Sequence, residues 1–132
     1  MSEAHLRTVL EYLHAMGSRD LERVANCLAP AVVHQGVEPH LRCDNRDQVL
    51  DNVRGTLAGG TFGVDRLEMI DADDRVIVGL AGPRFRDVEW APLQGQVFIV
   101  FTVSHGVIVR MDDFITRGEA MTTAGVEAID WT

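Results

Sequence analysis

The apolar residues of this chain change their spacing near residue 60, and that change restricts the fold more than any other feature. Before it they recur every three or four positions, as on one face of a helix; after it they alternate with polar residues, as along a strand. Helices first and strands afterwards predict an α+β fold, because the regular alternation that builds a parallel α/β sheet is missing. Leu6, Val9, Leu10, Leu13 and Met16 form the stripe of a first helix that starts at Ser2 and ends at Gly17. Ser18 is placed to cap a second, shorter helix, with Leu21, Val24, Ala25 and Leu28 on its buried side and Pro30 as its stop. Ala31 to Val37 is β-branched and predicts a strand, and Glu38 to Asp44 an irregular connection. Asn45, with Gln48 three residues on, has the form of a capping box for a third helix carrying Val49, Leu50, Val53 and Leu57, closed by Gly59 and Gly60.

Strands are then expected over Phe62–Ile70, Arg75–Ala81, Gln94–Val103 and Val107–Thr116. The joints Asp71–Asp74 and Ser104–Gly106 are rich in turn residues and of hairpin length, so their flanking strands should pair antiparallel. The expected architecture is a cone-shaped, curved antiparallel sheet packed against three N-terminal helices, with a hollow between the two layers for a small hydrophobic molecule. Residues 1–132 read as one domain, since a chain of this length has material for one core.

Twenty acidic against twelve basic residues leave a net charge of -8, which repels phosphate backbones and anionic lipid. No apolar run approaches the roughly 20 residues that cross a bilayer, and Met1 to Leu10 hold no stretch of signal-peptide type. A cytoplasmic protein with neither nucleic acid nor membrane as partner is the expectation. Cys27 and Cys43 lack the spacing of a zinc site and read as free thiols, and no metal or cofactor is expected.

The last strand carries the strongest chemical signal. Val107, Val109, Met111, Asp113 and Ile115 fall on one face, and Asp113 is its single polar member; Ile108, Arg110, Asp112 and Phe114 fall on the other. Asp113 is therefore expected to point inward and Asp112 to be exposed. A carboxylate among apolar side chains is costly unless hydrogen-bonded, and such a group suits proton transfer; an Asp satisfied by amides or an Arg is the structural alternative. His34 shares a strand face with Val32 and Gly36 and is expected to meet Asp113 across the pocket, as a dyad in which the carboxylate orients the imidazole. A satisfied core or edge histidine is the other reading of His34. Arg84, two residues before Arg86, is placed to bind a carboxylate or enolate at the pocket mouth, or else to charge a strand edge. Leu13, Met16, Leu80, Val97, Met111 and Ile115 are the expected substrate contacts. Tyr12, the sole tyrosine, falls off the apolar stripe of the first helix and is not expected to take part in chemistry. Apolar residues on the outer sheet face, Phe98, Val100, Ile108 and Phe114, predict a homodimer.

The segments SRDLERVANCLAPAVVHQG, NRDQVLDNV and GVIVRMDDFITRGEA resemble the SnoaL-like branch of the nuclear transport factor 2-like superfamily, over nearly the whole chain. That group includes polyketide cyclases, ketosteroid isomerases and limonene epoxide hydrolases. The resemblance implies a cystatin-like cone and acid/base chemistry through Asp113, without a covalent intermediate, on a hydrophobic cyclic or polyketide-like substrate. In the epoxide hydrolases a water-holding Tyr and Asn fall in register on His34 and Gly36, and an Arg-x-Asp pair falls on Leu80 and Gly82. The acid that would protonate an epoxide thus has no counterpart, while cyclisation, isomerisation or hydrolysis with one base remains. Two readings stand side by side: an enzyme using Asp113 with His34, and a non-catalytic ligand-binding or scaffold domain of the same fold.

Overall fold

The computed structural model describes residues 2–58, 62–63, 66–81, 84–85 and 96–126. Its elements are α1 (Ser2–Gly17), α2 (Leu21–Asn26), β1 (Leu28–Gln35), β2 (Arg42–Cys43), α3 (Arg46–Ala58), β3 (Phe62–Gly63), β4 (Arg66–Ala72), β5 (Arg75–Ala81), β6 (Arg84–Phe85), β7 (Gln96–Ser104), β8 (Val107–Phe114) and α4 (Arg117–Thr123). Six strands form one sheet in the order β2-β1-β8-β7-β5-β4, and β3 pairs with β6 apart from it. The α+β class is as expected, but the sheet is mixed: β1 runs parallel to β8, while the other neighbours are antiparallel. The expected strand over Phe62–Ile70 is divided between β3 and β4. None of the described helices is long and apolar enough to cross a membrane.

In α1 the buried side is Val9, Tyr12, Ala15 and Met16, with Leu6 and Leu13 packed partly against it and Leu10 51% exposed. The stripe is therefore rotated from the expected one. Tyr12 meets Phe101 edge-on at a centroid distance of 5.7 Å, and burying that aromatic pair outweighs burying Leu10. Asp20, not Ser18, caps α2: its carboxylate accepts from the Arg23 amide at 3.2 Å. Ser18 instead ends α1 by donating its amide to the His14 carbonyl, and Arg19, at φ 59, makes the left-handed turn between the helices. The chain becomes extended at Leu28, so Pro30 sits inside β1 rather than stopping a helix. Having no N–H, Pro30 cannot join the ladder, and the β1–β8 register slips between Leu28 and Val33. Asn45 caps α3 as expected, accepting from the Gln48 amide at 2.9 Å, while the Gln48 side chain reaches back to the Asp44 amide. Leu57 and the two glycines after α3 lie outside the side chains described.

The sheet separates two apolar layers. Val32, Val76, Val78, Leu80, Val97, Phe101, Val103, Ile108 and Met111 pack with α1, α2 and α3 on the inner face. Ile108 was expected outside. Pairing passes from Thr102↔Arg110 to Val103↔Ile108, so Val109 is an extra residue, and the bulge shifts the alternation by one. On the outer face Ile77, Phe98 and Val100 are covered by Ala120, Met121 and Ala124 of α4, a helix that the hydrophobic pattern did not disclose. Its start does carry a signal: Thr116 caps the Glu119 amide and donates its hydroxyl to the Glu119 carboxylate, a Thr-x-x-Glu capping box. Arg117 then binds Glu68 of β4 at 2.8 Å, holding α4 against the sheet. Phe98 and Val100, two of the residues from which a homodimer was expected, are thus covered within the chain.

Gly36 closes the β1–β2 connection, its amide bonded to the Leu41 carbonyl. A Cβ at Gly36 would lie 2.7 Å from the Leu41 Cβ and 2.9 Å from its carbonyl oxygen, too near for a backbone contact. Gly36→Ala should therefore cost about 1–3 kcal/mol through forced displacement. Urea denaturation reads this directly, and a midpoint equal to wild type would show that Leu41 yields freely.

Candidate functional site

Parallel pairing aligns the faces of β1 and β8: His34 stands opposite Met111, and Gln35 opposite Asp112. The next inward residue of β8 is Asp113, diagonal to His34. Their side chains meet with Nε2 2.8 Å from Oδ1. The two residues lie side by side on adjacent strands rather than across a hollow, which makes their spacing a property of the sheet. Each side chain is 20% exposed, enclosed enough to strengthen the bond and open enough to be reached from outside.

Asp112 points the other way, as expected, but it is not exposed. Arg110 grips it through three contacts of 2.9 to 3.1 Å on the outer face. Consecutive aspartates thus have separate partners on opposite faces of one strand.

The His34 imidazole holds its proton above its ordinary range. Burial alone would lower its affinity, but the hydrogen bond and charge of Asp113 outweigh burial, and the charge of Asp112 adds to them. Tyr12 extends from α1 into the reach of Asp113: burial and that carboxylate, then Cys27 and Cys43, push its phenol far above the usual range. Cys43 stands opposite His34 on β2. Burial, Asp44 and Asp113 raise its thiol, so it is a neutral wall at neutral pH rather than a thiolate nucleophile. Cys27 and Cys43 are both free, as expected.

The structure brings Met111 next to His34 in register, and Met16, Leu80 and Val97 join it in the inner core, with Leu13 packed partly on that core. Ile115 is half-buried just past β8. The Arg84 backbone pairs with Gly63 in β6, and its side chain, like Arg86, lies outside what is described. Sequence reasoning passed over Tyr12 and Cys43. Tyr12 was legible, being three residues from Val9 and four from Met16 on the same helical face. Cys43 was not, because a two-residue strand has no periodicity to read.

No family model matches the chain, and no curated protein matches it in sequence. Solved structures do resemble it. A nuclear transport factor 2-like protein from Burkholderia xenovorans superposes with a TM-score of 0.71 at 14% identity, over 94% of this chain and 97% of its own. The chain has the nuclear transport factor 2-like fold. A candidate polyketide cyclase from Sinorhizobium meliloti shares that fold at TM-score 0.65 and 19% identity, over 82% of this chain and 94% of its own. A candidate ketosteroid isomerase from Kribbella flavida does so at 0.65 and 16%, over 86% and 78%. Identities this low carry the nuclear transport factor 2-like architecture and leave chemistry to the residues themselves.

Two titrations check the site. Because folding raises the affinity of His34 for its proton, the stability this supplies is complete below the unfolded value of about 6.5 and is lost as pH rises through the higher folded value. The urea midpoint should show that decline in wild type and not in His34→Gln; identical pH dependence in both would refute the coupling. As the sole tyrosine, Tyr12 can be followed by phenolate absorbance, which should stay absent well above the ordinary midpoint of about 10. Phenolate forming at that ordinary value in folded protein would place the hydroxyl in water.

Proposed function

We propose that the chain is an acid/base enzyme, an isomerase, cyclase or hydrolase acting on a hydrophobic cyclic or polyketide-like substrate, with Asp113 and His34 moving the proton. The observation that carries this reading is the 2.8 Å bond between two titratable side chains that keep one fifth of their surface accessible in an otherwise apolar layer. Leu13, Met16, Leu80, Val97, Met111 and Ile115 supply the apolar surroundings, and Arg84 is assigned to an anionic oxygen of the substrate. Names borne by structural neighbours, cyclase and isomerase, point the same way. No cofactor enters, because proton transfer to and from carbon needs a base and a way to hold the developing charge.

The test is hydrogen–deuterium exchange at carbon, followed by NMR in heavy water over a panel of cyclic enones and β-diketones. Wild type should speed exchange in at least one of them, and Asp113→Asn should lose on the order of 10²- to 10⁴-fold of that rate with its urea midpoint little changed. An Asn variant as fast as wild type would end the acid/base reading. Binding of a panel member without exchange would establish the ligand-binding alternative in its place.

A further inference from the structure

We infer that Nδ1 of His34 is the atom that takes and returns the proton, and that Asp113 acts through the ring as a positioning residue. This assignment rests on the acid/base reading above. The contact between the two residues engages Nε2 and Oδ1 and needs a single proton between them, held either as N–H donating to carboxylate or as O–H donating to nitrogen. The free imidazole is more basic than a free carboxylate by about two units, so the proton stays on nitrogen unless the surroundings favour a neutral carboxyl. On nitrogen the proton is held by the hydrogen bond and the charge of Asp113, which together outweigh the burial of the ring. From β8 the ring faces Asp113 and, more weakly, Asp112, and from β2 the neutral Cys43 thiol; the neutral Tyr12 phenol of α1 lies within reach of Asp113. Among the described residues the cations on neighbouring elements are engaged elsewhere: Arg110 on Asp112, Arg42 of β2 on Asp44 and Arg46 of α3 on the Leu28 carbonyl. Negative charge on the Asp113 side keeps Nε2 as the donor.

With Nε2–H fixed on Oδ1, the lone pair of the neutral ring belongs to Nδ1. Among the described residues the bond to Asp113 is the one hydrogen bond that the His34 ring makes, which leaves Nδ1 for a ligand. Its lone pair takes a proton from a carbon acid, and the electrons of the broken C–H bond remain on the substrate as an enolate. The imidazolium that forms lies against a carboxylate and is stabilised by it. The same proton then returns to the substrate at a second carbon, so no oxidant or further reactant is consumed. A proton taken first by Asp113 would pass to the more basic ring, which is why the carboxylate orients rather than carries.

Nitrogen-15 NMR of the His34 ring tests the assignment without a substrate. The neutral ring should hold its proton on Nε2, and Nδ1 should be the nitrogen that titrates, at a higher pH than in Asp113→Asn; Asp113→Glu should restore part of that difference. A neutral ring protonated on Nδ1 overturns the proposal, because Asp113 would then be the proton carrier. In the exchange assay, His34→Gln, Asp113→Asn and the double variant should lose nearly the same factor, on the order of 10²-fold or more, since groups moving one proton together are not additive. Loss in Asp113→Asn with His34→Gln unaffected would overturn this assignment while leaving acid/base catalysis intact. No exchange by wild type would overturn both.

Discussion

Parallel strands cannot be joined by a tight turn, so placing β1 beside β8 obliges everything between them to leave the sheet and return to its other side. That return builds the rest of the molecule. After the β2 hairpin, α3 crosses the inner face, and β4, β5 and β7 fill the sheet outward from β8. The same pairing puts residues of equal phase on one face, which is how a histidine and an aspartate 79 positions apart in sequence come to share a hydrogen bond. Were β1 shifted by one residue, His34 would face outward and Gln35 would take its place.

The apolar layer makes that bond matter. Most inner side chains of the sheet are aliphatic or aromatic, so the pair has little water to compete with it. On the other side of β8, Arg110 and Asp112 solve the burial of charge differently, by a bidentate grip whose cation cannot titrate in the ordinary range. One strand therefore holds a fixed ion pair on its outer face and a titratable pair on its inner face. Tyr12 and Cys43, both kept neutral, complete the inner surroundings without contributing a competing base.

Much of this was readable in advance where local rules govern. Helical spacing located α1 and α3, Asn45 marked the start of α3, and turn residues marked the β4–β5 and β7–β8 hairpins. Errors arose where a distant neighbour decided the outcome. Phe101 turned Tyr12 inward and Leu10 outward, and the bulge at Val109 carried Ile108 to the inner face. α4 was overlooked for a different reason: its apolar residues, Ala120, Met121 and Ala124, are too few to show a period.

The sequence by itself determined the α+β class, the order of helices before strands, and the presence of one carboxylate and one imidazole on inward strand faces. Those are consequences of spacing and propensity within a few residues. Only the tertiary structure decided that β1 is parallel to β8, that the two groups touch through Nε2 and Oδ1, and that α4 covers the outer face. Pairing partners, register and ring orientation depend on contacts between residues far apart in the chain, and no local pattern encodes a distance of 2.8 Å.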